Sequence, residues 1–200
     1  NQDRRLRAGH LWIYSNEVDT TRSPLSDFQP GDPVAVRAAN GSLLGSAYTE
    51  PNALICARLY APGETRAPDE TFFLERLRSA LAIREAAFDR PCYRLAYGDS
   101  DMLPGLVVDR FGDYLVVQLN NAGIERYRDA LSQALQALLQ PAGILLRGDS
   151  RRRREQGLPD AIEVVHGEVP EWLPLEENGV RFLAPAFTGQ KTGWFYDQRM

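Results

Sequence analysis

Lysine is almost absent from this sequence of 200 residues. Lys191 is the only lysine among 23 basic residues, so arginine supplies nearly all of the positive charge. Because the formal net charge is -4, the composition argues against a protein that coats nucleic acid by bulk electrostatics. Any contact with nucleic acid must therefore come from local groups of arginines.

Cysteine and histidine are also scarce, with two of each. Cys56 and Cys92 form no CxxC pair and have no histidine nearby, so the sequence requires no disulfide. His10 and His166 are each isolated, whereas zinc usually needs three or four ligands. We therefore expect no metal site.

Long apolar runs are missing as well. No segment approaches the roughly 18 apolar residues that a membrane-spanning helix requires. The arginine-rich start also lacks the apolar segment of a signal peptide. The sequence predicts a cytoplasmic protein without a membrane partner.

The first part of the chain is rich in short extended segments. Val34 to Arg37 alternates as a half-buried strand does, and Leu43 to Tyr48 returns after Asn40-Gly41, whose positive φ angles suit a tight hairpin turn. Another extended segment runs from Ala53 to Tyr60, and a proline-punctuated linker follows it. We predict a small β-barrel over residues 1–66.

The rest of the chain mixes strands and helices. Asp69 is a natural N-cap for an amphipathic helix that runs to about Asp89, where Pro91 ends it. A second helix is predicted over 124–138, and a hairpin turned at Asn178-Gly179 is predicted near the end. The remaining strands are predicted at 93–97, 106–108, 114–119, 144–147 and 162–165. This is an α+β pattern, which we assign to a second domain over 67–186.

Two groups of basic residues are candidates for nucleic-acid contact. The first lies near the start with Trp12 and Tyr14, and it contains Arg4, Arg5, Arg7 and His10. The second is the run Arg151, Arg152, Arg153 and Arg154, predicted to lie in a loop. From the residues alone, the first group has two interpretations: phosphate contact and base stacking, or a solvated edge with the aromatic rings in the core. The second group either contacts RNA phosphates or is solvated, mobile surface.

Other charged segments favour structural readings. The acidic segment 98–101 lacks calcium-loop spacing and is predicted to be a loop. Arg76, Arg78 and Arg84 are predicted to lie on the solvated face of the first long helix.

Four blocks of sequence resemble motifs of one family. They are GHLWIYSNE at 9–17, LPGLVVDRFGD at 103–113, ENGVRF at 177–182 and GQKTGWFYDQR at 189–199. In this order they resemble a bacterial family of S-adenosylmethionine-dependent 23S rRNA (cytosine-5) methyltransferases. The resemblance extends over nearly the whole chain.

The resemblance implies three parts: a PUA domain that binds RNA, a middle α/β domain, and a methyltransferase domain of which residues 187–200 are the start. It favours RNA contact for the arginines of the first group and a core position for Trp12. It also implies that the last motif borders the pocket for S-adenosylmethionine and the target base. The candidate residues there are Gln190, Lys191, Thr192, Phe195, Asp197, Gln198 and Arg199, whereas Trp194 and Tyr196 occupy variable positions and inherit no role.

Catalytic residues are not expected within this sequence. It contains no G-x-G-x-x-G motif for a nucleotide cofactor. The resemblance implies that the nucleophilic cysteine lies beyond Met200, so that the sequence is an inactive N-terminal fragment of a methyltransferase. The alternative is a stand-alone RNA-binding or adaptor module, and in either case the oligomeric state, monomer or homodimer, stays open.

Overall fold

Three β-sheets and five α-helices form the described part of the chain. The structure, a computed structural model, describes residues 3–188 and 194–196. The order of elements mixes helices with strands, in agreement with the prediction of a mixed α and β protein.

The first sheet contains β1 (Trp12–Tyr14), β2 (Pro33–Arg37), β3 (Leu43–Thr49) and β4 (Ile55–Pro62). Its strands are antiparallel in the order β1-β4-β3-β2, and the helix α1 (Asp3–Arg7) precedes them. A small core lies on one face, formed by Leu11, Ile13, Ala47, Cys56, Ala57 and Leu59. Strands β1 and β2 are the two edge strands of this sheet. Closure of the sheet into a barrel therefore stays a prediction.

The turn between β2 and β3 differs in detail from the predicted one. Gly41 has the expected positive φ of 84°, but Asn40 is not among the described residues with positive φ. Instead, the Asn40 side-chain oxygen accepts a hydrogen bond from the Ser42 amide at 3.0 Å. An asparagine side chain can close a turn in this way without adopting the left-handed conformation itself.

The first long helix confirms its sequence signals. Helix α2 spans Glu70–Ala87, and the Asp69 side chain caps it by accepting a hydrogen bond from the Phe72 amide at 2.8 Å. Its buried face carries Phe72, Phe73, Leu77 and Ala80. The helix ends at Phe88, which has extended backbone angles, three residues before Pro91.

The central sheet contains β5 (Cys92–Tyr97), β6 (Leu106–Phe111), β7 (Tyr114–Leu119), β8 (Gly143–Arg147) and β9 (Ile162–Gly167), paired in that order. Only β7 and β8 are parallel. A parallel pair needs a crossover, which α3 (Ala122–Arg126) and α4 (Arg128–Leu139) provide. The single helix predicted here is thus two helices, because Tyr127 departs from helical angles with φ -110° and ψ 22°.

The central sheet is covered on both faces. Helices α2 and α4 pack on one face around a core that includes Leu95, Leu106, Leu115 and Leu135. On the other face lies the hairpin of β10 (Trp172–Glu177) and β11 (Val180–Pro185), which forms a sheet of its own. The predicted turn at Asn178-Gly179 is confirmed, with φ angles of 50° and 77°.

The first sheet and the helical layer share one core. Tyr48 and Tyr60 of the first sheet stack at 4.4 Å, and Tyr127 lies 6.0 Å from Tyr48. Arg126 forms an ion pair with Asp32 at 2.8 Å across the same boundary. The predicted division at residue 66 therefore separates two folds whose apolar residues pack together.

Candidate nucleic-acid interface

Two of the four candidates near the start of the chain are already engaged by protein groups. Arg5 donates to Glu17 at 2.6 Å and to the Trp12 carbonyl at 2.9 Å, and its guanidinium lies 4.9 Å from the centre of the Tyr14 ring. Arg7 pairs with Asp3 at 2.8 Å and donates to the Ser42 hydroxyl at 2.7 Å. These contacts fasten α1 to the first sheet.

Arg4 and His10 are the candidates with open side chains. Both are exposed, and among the described residues neither side chain has a hydrogen bond or ion pair. They lie close to β1, since the Arg5 side chain bonds to Trp12 and the His10 amide donates to the Arg5 carbonyl at 3.2 Å. Of the four candidates, Arg4 and His10 thus have side chains open to a ligand, whereas Arg5 and Arg7 are engaged within the protein, and phosphate contact stays a prediction.

Trp12 is not a core residue, which corrects the sequence-based expectation. It is 40% exposed, and its indole Nε1 donates to the Asp99 carboxylate at 2.5 Å. The reason is the period of the strand: Leu11 and Ile13 are buried, so the residue between them must point to the opposite face. The contact with Asp99 ties the first sheet to the segment after β5.

The acidic segment 98–101 is structural. It forms a short 3-10 helix rather than an irregular loop, and its two terminal acidic groups have defined partners. Asp101 accepts two hydrogen bonds from Arg84, at 2.6 and 2.8 Å, and a third from the Tyr97 amide at 2.7 Å. The prediction of a solvated Arg84 is therefore wrong, because its guanidinium is mostly buried against Asp101.

The run of four arginines is not a loop. Residues Arg151–Glu155 form the helix α5, capped by Ser150, whose hydroxyl accepts from the Arg153 amide at 3.2 Å. Arg151 pairs with Glu155 and Arg154 with Asp160, both at the exposed surface. Arg152 is exposed and has no side-chain partner among the described residues.

Arg153 differs from its neighbours because it is only 2% exposed. Its guanidinium donates to the Pro159 carbonyl at 2.8 Å, to the Leu119 carbonyl at 3.0 Å and to Glu125 at 2.5 Å. All three contacts are internal, so Arg153 is removed from the set of candidate RNA contacts. It holds α5 against the central sheet instead.

The closing motif is described only at residues 194–196. Trp194 donates its indole hydrogen to Glu177 at 2.9 Å, and the Tyr196 hydroxyl donates to the Arg110 carbonyl at 2.9 Å. Their rings lie 5.0 Å from Phe182 and 5.7 Å from Phe111. Sequence reasoning assigned these two positions no role, yet they dock the motif on the hairpin and the central sheet.

Of the seven candidates for cofactor contact, only Phe195 lies in the described part of the chain, where it is 46% exposed. The other six lie outside the described residues: Gln190, Lys191, Thr192, Asp197, Gln198 and Arg199. Their roles stay predictions.

Buried ionic groups support the sheet face beneath this motif. Arg147 is 1% exposed and donates to Asp149 at 3.0 and 2.7 Å and to the Ala186 carbonyl at 2.8 Å. The hydrogen bonds from Arg147 lower the pKa of the Asp149 carboxyl below its ordinary value, although partial burial opposes this. Asp109 is fully buried and accepts two hydrogen bonds from Arg94, at 2.8 and 3.0 Å.

The cavity beside α4 does not fit a nucleotide cofactor. One cavity of about 190 Å³ lies between α4 and the strands β7 to β9. Leucine and valine side chains line much of it, and Arg128 and Glu163 form an ion pair at its surface. No glycine-rich turn leads into a helix N-terminus there, which is what a dinucleotide or S-adenosylmethionine site would need.

Metal-binding clusters and membrane-spanning helices are both absent from residues 3–188 and 194–196. No group of three or more histidine, cysteine or acidic side chains is arranged to hold a metal ion. None of the helices is both long enough and apolar enough to cross a membrane.

Comparison with known proteins identifies what the chain resembles. Residues 1–62 match the PUA-like domain family, which confirms the PUA-like expectation for this part. The chain is 36% identical over 202 residues to ribosomal RNA large subunit methyltransferase I of Aliivibrio fischeri (strain MJ11), covering 99% of this chain and 50% of that protein. The protein of the same name from Aeromonas salmonicida (strain A449) is 35% identical over the same shares.

Solved structures share the fold. A putative SAM-dependent methyltransferase from Streptococcus mutans matches with a TM-score of 0.78 and 21% identity, covering 99% of this chain and 50% of that chain. A putative methyltransferase complexed with SAH matches with a TM-score of 0.79 and 21% identity, covering 99% of this chain and 49% of that one. The chain spans about half the length of the curated relatives it matches. Nearly all of it is thus similar to proteins named ribosomal RNA large subunit methyltransferase I, and its first 62 residues match a PUA-like domain.

Proposed function

We propose that this chain is the substrate-recognising part of a methyltransferase that transfers a methyl group from S-adenosylmethionine to carbon 5 of a cytosine in 23S rRNA. The observation that carries the proposal is the similarity over 99% of the chain to proteins named for methylation of large-subunit rRNA. The choice of cytosine carbon 5 and of 23S rRNA rests on the four motifs described above.

The geometry supports a role in recognition. The PUA-like part presents Arg4 and His10 with open side chains, and α5 presents Arg152. Arginine and histidine can bind phosphate oxygens, and a few such contacts are enough for local binding despite the negative net charge. The RNA would then contact these two groups of cations.

The chemistry of carbon 5 supports a separate catalytic pocket. This carbon becomes nucleophilic only after a thiolate adds to carbon 6, so the enzyme needs a reactive cysteine. Cys56 is 1% exposed, and burial raises the pKa of its thiol, which disfavours the thiolate. Cys92 is 6% exposed, beneath the β10–β11 hairpin. Neither cysteine suits attack on a base, and we assign the nucleophile and the cofactor pocket to polypeptide beyond these residues.

RNA binding tests the recognition role. Fluorescence anisotropy with labelled 23S rRNA fragments should show binding that weakens as salt increases, because phosphate contacts release counterions. The variants Arg4→Ala and Arg152→Ala should each reduce the slope of log affinity against log salt by about one contact. Arg78→Ala is the matched control, since Arg78 is also exposed but lies on α2, outside the two candidate groups. Equal slopes in all four proteins would contradict the assigned surface.

Calorimetry tests whether the cofactor pocket lies outside these 200 residues. Titration of S-adenosylmethionine into the 200-residue chain should give no binding heat above dilution. Micromolar binding would show that the chain holds a complete cofactor pocket. The alternative function, a stand-alone RNA-binding module, also predicts no heat of S-adenosylmethionine binding for this chain. It differs in predicting that a longer chain from the same gene binds no cofactor either.

A further inference from the structure

Two exposed aromatic residues adjoin the acidic turn at 98–101. Trp12 of β1 is 40% exposed, and Tyr97 at the end of β5 is 55% exposed. The turn links them, because Asp99 accepts a hydrogen bond from the Trp12 indole and Asp101 accepts one from the Tyr97 amide. The two residues come from different sheets, and both adjoin this turn.

Contacts with charged groups hold both rings in place. The Trp12 indole is held by its edge at Asp99, and its backbone carbonyl accepts from Arg5 at 2.9 Å. The Arg94 guanidinium lies 5.2 Å from the centre of the Tyr97 ring, and Arg94 is itself fixed by the buried Asp109. Rings that are already ordered lose little conformational freedom when a ligand binds.

We propose that Trp12 and Tyr97 form an aromatic platform on which unpaired bases of RNA stack. This inference rests on the proposed function and names the RNA structure that the surface takes, a single-stranded segment rather than a helix. Every base offers a π-face to an aromatic ring, whereas the bases of an RNA duplex are already stacked on each other.

The charges around the platform orient the RNA. The Asp99 carboxylate lies at the edge of the Trp12 ring, and carboxylates repel phosphates, so the phosphate backbone is kept away from this part of the turn. Arg4 and His10 lie near Trp12 through the contacts of Arg5, and they attract phosphates. The bases therefore face the rings, while the phosphates face Arg4 and His10.

The same charges favour a base over an apolar protein partner. An apolar protein surface requires a contiguous apolar patch, but here the Asp99 carboxylate lies against the Trp12 ring and the Arg94 guanidinium against the Tyr97 ring. Base stacking requires only the ring faces. If RNA binding does not depend on the rings, a protein partner is the alternative occupant of this surface.

The test uses a short single-stranded oligoadenylate and a single-stranded loop of 23S rRNA, each measured by anisotropy with the complete 200-residue chain. Trp12→Ala and Tyr97→Ala should each weaken binding to both probes by about fivefold or more, the effect of losing one stacked base. Tyr97→Phe should bind as the original chain does, because it keeps the ring. Trp172→Ala is the control, since Trp172 is 51% exposed but lies on β10.

The salt dependence separates stacking from charge. The aromatic variants should lower the affinity at every salt concentration without changing the salt slope, because no phosphate contact is lost. Thermal unfolding should show that each variant is folded at the assay temperature, and Trp12→Ala should melt somewhat earlier because it loses the hydrogen bond to Asp99. Trp12→Phe, which keeps a ring, provides a second test if Trp12→Ala unfolds.

The outcomes distinguish the platform from the proposed function. Ring-dependent binding of oligoadenylate without any preference for 23S rRNA would support the platform and contradict the proposed function. Binding to 23S rRNA that is unchanged in Tyr97→Ala and Trp12→Ala would overturn the platform and leave the proposed function standing. Failure of the original chain to bind either probe would overturn both.

Discussion

Adjacent arginines in this chain differ in burial and in their hydrogen-bond partners, and the geometry of the helix explains the difference. In the run 151–154 a helical turn directs one side chain inward and the others outward. Arg153 therefore ends among the Leu119 and Pro159 carbonyls and Glu125, while Arg152 stays in solvent. The sequence shows four identical residues and contains no signal that separates them.

Replacing Arg153 should destabilise the protein strongly. Arg153→Met leaves Glu125 without its cation and two carbonyl oxygens without a donor, and breaking a buried pair in this way costs about 3 to 5 kcal/mol. The free energy of unfolding from urea titration measures this. Arg152→Ala, the matched control, should change it by less than about 0.5 kcal/mol. Similar values for the two variants would show that Arg153 is not an internal anchor.

The Asp149 carboxyl should make stability depend on acid. Its pKa in the folded protein is lowered, first by the hydrogen bonds from Arg147. A lowered folded pKa stabilises the protein above the unfolded value of about 3.9, and this contribution is lost as the pH falls through the folded pKa. Urea midpoints measured from pH 7 down to pH 3 should fall more steeply for the original chain than for Asp149→Asn. Parallel profiles would contradict the assignment.

At the scale of elements, the sequence predicted the helix ends and turns that depend on a few neighbouring residues. The Asp69 cap and Pro91 bracket α2, and Asn178-Gly179 turns the last hairpin, because capping and turn preferences act within a few residues. The side on which Trp12 emerges was predicted wrongly, since it depends on which face of β1 meets the core. The break between α3 and α4 was missed as well, because residue spacing does not show that Tyr127 packs against Tyr48.

Helix α3 packs closely against the first sheet through Gly123. A Cβ atom at this position would lie 2.2 Å from Cγ of Tyr48, too close for any normal contact. Gly123→Ala should therefore lower the free energy of unfolding by about 1 to 3 kcal/mol, despite the better helix propensity of alanine.

A double-mutant cycle tests that explanation for Gly123. In a Tyr48→Gly background the three closest atoms, Cβ, Cγ and Cδ2 of Tyr48, are all absent, so Gly123→Ala should cost much less than it does in the original chain. An equal cost in both backgrounds would place the strain somewhere other than the Tyr48 contact.

At the scale of the whole molecule, the chain positions its surface by joining two folds through one core. Tyr48, Tyr60 and Phe72 lie in a single cluster, and the Asp32–Arg126 and Trp12–Asp99 contacts bridge the same boundary. The candidate surface near Trp12 depends on this junction, because its groups come from both sides. The motif resemblance predicted the PUA-like part, but the junction arises from pairings between distant residues that no local pattern records.

The central claim, that this chain recognises large-subunit rRNA, is tested most directly by competition. Labelled 23S rRNA fragment bound to the chain is challenged with unlabelled 23S rRNA, 16S rRNA and transfer RNA at one fixed salt concentration. We predict that the 23S competitor displaces the label at a concentration at least about tenfold lower than the others, since specific complexes exceed non-specific ones by more than this. Equal displacement by all three RNAs would contradict the account.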